Sequence, residues 1–159
     1  MERLWSPWRG AYVTNAGSAG GCFFCAAASG EDTQLLVAQD TPTVTLLNRF
    51  PYNPGHVMVA PRAHVPDLLA AGDDDSAAVM MAARCAMRAL QSAMRPDGFN
   101  LGVNQGDVAG ASIEHVHLHV VPRWRGDTNF MPVVGETKVL PESLDQSAAK
   151  LRAAFAELS

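Results

Sequence analysis

Three histidines alternate with apolar residues in His115-Val116-His117-Leu118-His119-Val120-Val121. A β-strand turns successive side chains to opposite faces, so this spacing predicts three imidazoles on one face, with Val116, Leu118 and Val120 entering the core. An imidazole of ordinary pKa, about 6.5, serves near neutral pH as nucleophile, base or acid. The central ring, flanked on both sides and held by strand geometry, suits a nucleophile that needs a fixed tautomer. Attack on phosphorus by such a ring yields a phosphoramidate, and a second histidine or a hydroxyl can protonate the leaving oxygen. The competing reading is a metal-binding or merely polar strand face; histidines are not favoured in strands, which argues against an idle row of three. Directly upstream, Asn104-Gln-Gly-Asp-Val-Ala-Gly-Ala-Ser112 offers glycines for close backbone approach, amide donors and a hydroxyl, the parts a phosphate site needs. Alone such a loop is an ordinary turn, but its position before the histidines makes it a candidate cradle.

A second group is Cys22-Phe-Phe-Cys25. Two thiolates at this spacing can grip one zinc ion, form a redox pair, or have no joint role. No thioredoxin-like βαβ pattern surrounds them, which weighs against the redox pair. The third cysteine, Cys85, falls inside a helical stretch and reads as an inert small core residue.

The elements that must position these groups are read from periodicity. Leu35–Ala38 and Val44–Leu47 read as strands with Thr41-Pro42 as the turn between them, and His56–Ala60 as a third, closed by Pro61. The run Asn48–Gly55, with Pro51, Asn53 and Pro54, is a loop. From Asp73 to Arg95 the period changes: Val79, Ala83, Met87, Leu90 and Met94 share one helical face, Asp73, Asp74, Asp75 and Ser76 offer N-caps, and Pro96 and Gly98 end the helix. Phe99–Asn104 and His115–Val121 return to strand. Pro141 opens a last helix with Leu144, Ala148, Leu151, Phe155 and Leu158 facing inward. Trp5, Trp8 and Tyr12 make residues 1–13 an aromatic strap over the core, and Asn15–Gly21 a flexible connector. This order of elements indicates an α+β domain, an antiparallel sheet with helices packed against it.

At 159 residues, 48% hydrophobic and 18% charged, the chain suits one globular domain able to bury about two thirds of its unfolded surface. The divisions expected are the strap and connector (1–21), the core (22–123) and an extension carrying the last helix (124–159). The net charge of −4 comes without a basic cluster, which speaks against a nucleic-acid partner. The N-terminal residues lack an apolar signal region and no stretch reaches membrane-spanning length. The expectation is therefore a cytoplasmic protein with no membrane partner.

His-x-His-x-His followed by two apolar residues resembles the signature of the histidine triad (HIT) superfamily. The segment Leu47-Asn-Arg-Phe-Pro-Tyr-Asn-Pro-Gly-His56-Val-Met-Val-Ala-Pro61 resembles that superfamily's nucleoside-binding segment. The likeness runs from about Cys22 to Arg123. Beyond it, Trp5-Ser-Pro-Trp-Arg9 and Trp124-Arg-Gly-Asp-Thr-Asn-Phe-Met-Pro132 resemble bacterial HIT hydrolases of the fragile-histidine-triad-like branch and diadenosine tetraphosphate phosphorylases. The resemblance implies a five-stranded antiparallel sheet with two main helices, a homodimer, and a nucleotide substrate with no organic cofactor. It implies that His117 is the nucleophile taking a nucleotidyl group, that Asn48 holds the ribose hydroxyls, and that His119, Asn104 and the backbone of Gly110, Ala111, Ser112 and Ile113 surround the scissile phosphate. Ser112 falls where some members use a hydroxyl near the leaving group, and His56 borders the same pocket or is a satisfied histidine at a strand start. Zinc-containing relatives, galactose-1-phosphate uridylyltransferases among them, use an arrangement resembling Cys22, Cys25, His64 and His115, and such a Cys2His2 set is closed and structural. The activity implied is hydrolysis of dinucleoside polyphosphates or related adenylated compounds through nucleotidyl-His117. Phosphorolysis with inorganic phosphate as acceptor stands beside it, with Arg123 and Arg125 as candidate phosphate contacts, and so does a nucleotide-binding signalling protein with negligible turnover, although a pure binder has no need of a nucleophile.

Overall fold

The structure is a computed structural model and describes residues 21–127 and 140–158. The aromatic strap, most of the connector and the stretch 128–139 therefore lie outside the described residues. Five strands form one antiparallel sheet: β1 (Leu36–Gln39), β2 (Thr43–Leu47), β3 (Val57–Pro61), β4 (Gly98–Val103) and β5 (Leu118–Arg123), in the spatial order β1-β2-β3-β5-β4. The helices among the described residues are α1 (Phe23–Ser29), α2 (Asp73–Met94) and α3 (Leu144–Leu158), with a 3-10 turn at Asp107–Ala109.

Both sheet faces are covered. One packs Leu47, Val57, Val59, Leu118 and Val120 against Ala83, Ala86 and Leu90 of α2 and Ala148 and Leu151 of α3. The other packs Val44, Leu46, Met58 and Ala60 against Phe24 and Ala27 of α1. With both faces buried, β2 and β3 are apolar along their whole length apart from Thr43 and Thr45, as a covered sheet requires. α2 shows its periodicity plainly: Ala83 and Leu90 are buried, and Val79, Met87 and Met94 pack against the same cluster. Arg152 of α3 donates to the carbonyls of Leu36 and Gln34 at 2.8 and 2.7 Å, tying that helix to the sheet edge.

Several expectations change. β5 begins only at Leu118, so His115 and His117 precede the strand and His119 alone of the three lies within it. Cys85 is exposed; two residues from Ala83 it sits about 200° around the helix, on the opposite face. Leu158 is exposed in the last turn. α2 is capped by Gly72, and Asp73, Asp74 and Asp75 occupy its first turn, where carboxylates favour the helix dipole. α3 starts at Leu144 rather than at Pro141, because Ser143 and Gln146 close a capping box: the Gln146 amide donates to Ser143 Oγ and the Ser143 amide to Gln146 Oε1. The cysteine pair opens a seven-residue helix, α1, which periodicity did not reveal.

Candidate active site and metal cluster

β5 is central, between β3 and β4, and Met58 pairs with His119 across the β3–β5 ladder. Met58 belongs to the face covered by α1, so His119 opens on that face while Leu118 and Val120 enter the α2–α3 core. The three triad rings gather against α1 although two of them precede the strand. Phe24 lies 5.1 Å from the His115 ring and 5.0 Å from the His117 ring, centroid to centroid, and His117 meets His119 edge-on at 4.8 Å.

Hydrogen bonds settle the tautomers of these rings. His117 Nδ1–H donates to the carbonyl of His115 at 2.8 Å, which leaves Nε2 with a bare lone pair. Burial lowers the pKa of His117, so at neutral pH the ring is neutral and that lone pair persists. His56 is wholly buried, and its Nδ1 accepts the Tyr52 N–H at 3.1 Å. A neutral His56 must then carry its proton on Nε2, and this donates to His119 Nδ1 at 3.0 Å. A neutral His119 is thereby left protonated on Nε2. One face thus presents a ring with a bare lone pair beside a ring protonated on Nε2, so that a nucleophile and a hydrogen-bond donor for a leaving oxygen lie side by side. His56 itself has no exposed surface, so it bears on a ligand through neighbours such as His119 and the stacked Tyr52 ring.

The loop that carries His56 is anchored from a distance. Asn53 Nδ2 donates to the Pro122 carbonyl at 2.9 Å and to Asp127 at 2.7 Å. Asp127 also pairs with Arg123 at 2.6 Å and accepts the Trp124 N–H. The guanidinium beside it, with these N–H donors, holds the Asp127 carboxyl well below the usual carboxylate range. Arg123, a candidate phosphate contact, donates to Asp127 and Asn100. Sequence reading missed this network, since its members are up to 74 residues apart.

Asn48 is nearly buried, and its Oδ1 accepts the Phe50 N–H at 2.8 Å, an Asx turn that shapes the loop. Its side-chain nitrogen has no hydrogen-bond partner among the described residues. Asn104 follows β4, and Ile113 packs on the α1 face of the sheet. The Gly110 and Ala111 amides, expected to face a phosphate, are closed into the 3-10 turn by donation to the carbonyls of Asp107 and Gly106 at 2.8 and 3.1 Å. Ser112 is half-buried next to them.

Cys22, Cys25, His64 and His115 come together, their ligand atoms all within 4.8 Å of one another. Cys22 Sγ is 3.1 Å from His115 Nδ1, and Cys25 Sγ is 3.3 Å from His64 Nδ1. Tetrahedral zinc at ordinary bond lengths separates its ligands by about 3.3–3.8 Å, so the cluster is close to the required size. His115 Nε2–H donates to the Pro61 carbonyl at 2.9 Å, which turns the Nδ1 lone pair toward the thiols and supplies the outer-shell partner typical of a ligating histidine. Burial, and then the neighbouring Cys22, raise the Cys25 thiol pKa, and burial lowers that of His115. Two crowded thiols facing two imidazoles form a donor set that a bound cation would relieve. The residues present fit a tetrahedral metal ion.

The HIT domain family matches residues 29–126. The chain is 39% identical over 154 residues to the AP-4-A phosphorylase of Mycobacterium tuberculosis, covering 91% of this chain and 79% of that protein. It is 34% identical over 110 residues to an uncharacterised HIT-like protein of Saccharolobus solfataricus, covering 69% and 79%. Among solved structures, a Zn-bound histidine triad family protein from Mycobacterium smegmatis superposes with a TM-score of 0.73 at 30% identity, over 87% of this chain and 95% of that one. A hypothetical histidine triad nucleotide-binding protein from Sulfolobus tokodaii gives 0.72 at 26%, over 86% and 93%. The α+β fold, the gathered histidines and these matches together show that the chain belongs to the HIT family.

Proposed function

We propose that the protein transfers a nucleotidyl group from a dinucleoside polyphosphate through a covalent intermediate on His117. The observation that carries this reading is the His117 Nδ1–H bond to the His115 carbonyl, which leaves Nε2 as the one free lone pair on a buried, neutral ring. In the first step Nε2 bonds to the α-phosphorus while the bond from phosphorus to the bridging oxygen breaks. The bonding pair leaves on the terminal phosphate oxygen of the departing nucleotide, to which His119 Nε2–H donates a hydrogen bond. In the second step an acceptor oxygen attacks the same phosphorus, the P–N bond breaks with its pair returning to His117 Nε2, and the proton of the acceptor passes to solvent. Asn48, with its Oδ1 committed to Phe50, meets the ribose hydroxyls as a donor through its side-chain nitrogen. Asn104, Ser112 and Ile113 border the phosphate. A pure nucleotide binder has no need of this tautomer arrangement.

Water and inorganic phosphate are the two acceptors. Similarity over 91% of the chain to a protein named AP-4-A phosphorylase favours phosphate. Pure protein incubated with diadenosine tetraphosphate separates them: ATP plus ADP formed only when phosphate is present indicates phosphorolysis, and AMP plus ATP without it indicates hydrolysis. Neither product pair appearing would reject the enzymatic reading.

The metal that the cluster takes is zinc, held by Cys22, Cys25, His64 and His115 in a closed structural site; support comes from the donor set and from the Zn-bound relative. The protein is read as a cytoplasmic homodimer; the described residues contain no helix long and apolar enough to cross a membrane. β4 ends the sheet with Leu101 exposed, and such an edge needs cover.

A further inference from the structure

The β3–β5 ladder ends at the pair Val57–Val120, so β3 does not meet the carbonyl of Pro122. Asn53 meets it instead. Its Nδ2 donates to that carbonyl at 2.9 Å and to Asp127 Oδ2 at 2.7 Å, and the residue is buried. Asp127 is itself locked: its two oxygens accept from the Arg123 guanidinium at 2.6 and 2.8 Å, and Arg123 reaches Asn100 on β4 at 2.7 Å. Two-point pairing of this kind fixes direction as well as distance. The loop before β3 is thereby fastened to β5, the strand that carries His119.

Asn53 also opens the turn that presents His56. Its carbonyl accepts the His56 N–H at 3.1 Å across Pro54 and Gly55 (φ +76°), the order of residues that a type II turn favours. One residue earlier, the Tyr52 N–H donates to His56 Nδ1 at 3.1 Å. Residues 52 and 53 thus place both the backbone and the ring of His56. The pair of rings joined at 3.0 Å, His56 and His119, has two proton arrangements of equal charge. In the first, His56 Nε2–H donates to His119 Nδ1 and His119 keeps a proton on Nε2. In the second, His119 Nδ1–H donates to His56 Nε2, His56 is protonated on Nδ1, and His119 Nε2 is bare. The Tyr52 N–H selects the first, because the second sets two N–H groups against each other.

We infer that Asn53, locked by Asp127 and Arg123, is a positioning residue for the transfer step: it holds the Tyr52 N–H on His56 Nδ1 and so keeps His119 protonated on Nε2. This rests on the reading of His119 as hydrogen-bond donor to the leaving oxygen. The Asn53 amide, engaged on Pro122 and Asp127, acts through the two rings. Its loss frees the second arrangement, in which His119 Nε2 has no proton to offer that oxygen, and leaves the groups that bind nucleotide in place.

The test uses the full ¹⁵N-labelled chain, with the His119 ring signals identified by their loss in His119→Gln. Wild type, Asn53→Ala and Asp127→Ala are compared by long-range proton–nitrogen spectra of the imidazoles, Tm, AMP affinity and kcat. Two substrates are used: diadenosine tetraphosphate, and the dinitrophenyl ester of AMP, whose weakly basic leaving group needs little hydrogen bonding. Wild type should show His119 protonated on Nε2. Asn53→Ala should show tautomer mixing at His119, with kcat on the tetraphosphate down about fivefold or more and AMP affinity within about twofold. On the dinitrophenyl ester its kcat should change by less than about twofold. Asp127→Ala keeps the bond from Asn53 to Pro122 and should move the same readouts the same way by less; it decides if Asn53→Ala does not fold. A lowered Tm with unchanged His119 tautomer and kcat would overturn the inference, as would equal losses on both substrates, which mark a general loosening. If tautomer mixing appears in a chain whose wild type transfers no nucleotide, the functional reading fails and the positioning stands.

Discussion

Gly55 offers a sharp test of how the His56 loop is held. It is buried with φ +76°, and a Cβ built there would lie 2.6 Å from Met94 Sδ and 2.9 Å from Leu90 Cδ2. The left-handed backbone costs an alanine about 1–2 kcal/mol. The Met94 contact is with the far end of a flexible side chain and relaxes at little cost, but Leu90 is wholly buried in the core. Forcing a buried neighbour to shift typically costs about 1–3 kcal/mol. Alanine also restricts the unfolded chain, which returns about 0.4–1 kcal/mol. Gly55→Ala should therefore destabilise by about 2–3 kcal/mol, a Tm drop on the order of 5–10 °C. Urea unfolding followed by circular dichroism measures it, with an unchanged m-value expected. Adding Met94→Ala should not restore stability, since it leaves both the backbone strain and the Leu90 contact. A loss under about 0.5 kcal/mol would refute both the strain and the packing arguments.

His117→Ala should lower turnover by several orders of magnitude and leave AMP affinity largely intact, since covalent catalysis and ground-state binding use different groups; residual activity above a few per cent would move the nucleophile elsewhere. Elemental analysis should find one zinc per chain, and Cys22→Ser should lose both metal and thermal stability, because binding energy at a structural site is folding energy. Deoxyribose analogues should bind worse by about 1–3 kcal/mol, and Asn48→Ala should shrink that penalty; an equal ribo/deoxy affinity ratio in both proteins would remove Asn48 from the sugar site. Asp127 has a depressed folded pKa, so its contribution is present above the unfolded carboxylate value of about 3.9 and is lost as pH falls below it. Asp127→Asn should flatten the acid limb of the stability curve below about pH 4, and an unchanged limb would show that the Arg123 pair contributes nothing there.

Much of the site was legible without coordinates because its information is local. Alternation over five residues placed Leu118 and Val120 in the core and the imidazoles on the other side, and apolar spacing located α2 and its buried face. Where local reading went wrong, the cue was sometimes still present: Cys85 is off the Ala83–Leu90 face by simple helical counting, and Ser143-x-x-Gln146 is a legible capping box. What the chain by itself could not decide depends on contacts between residues far apart in sequence. The proton positions on His115 and His119 follow from Pro61 and His56, 54 and 63 residues away. Arg123 pairs with an acid only four residues on, but that acid also bonds Asn53, 74 residues distant. A motif specifies which side chains share a face, because strand geometry is a property of neighbouring residues. Which nitrogen keeps its lone pair is decided only when the sheet closes and brings a particular carbonyl, ring or thiol within hydrogen-bonding distance.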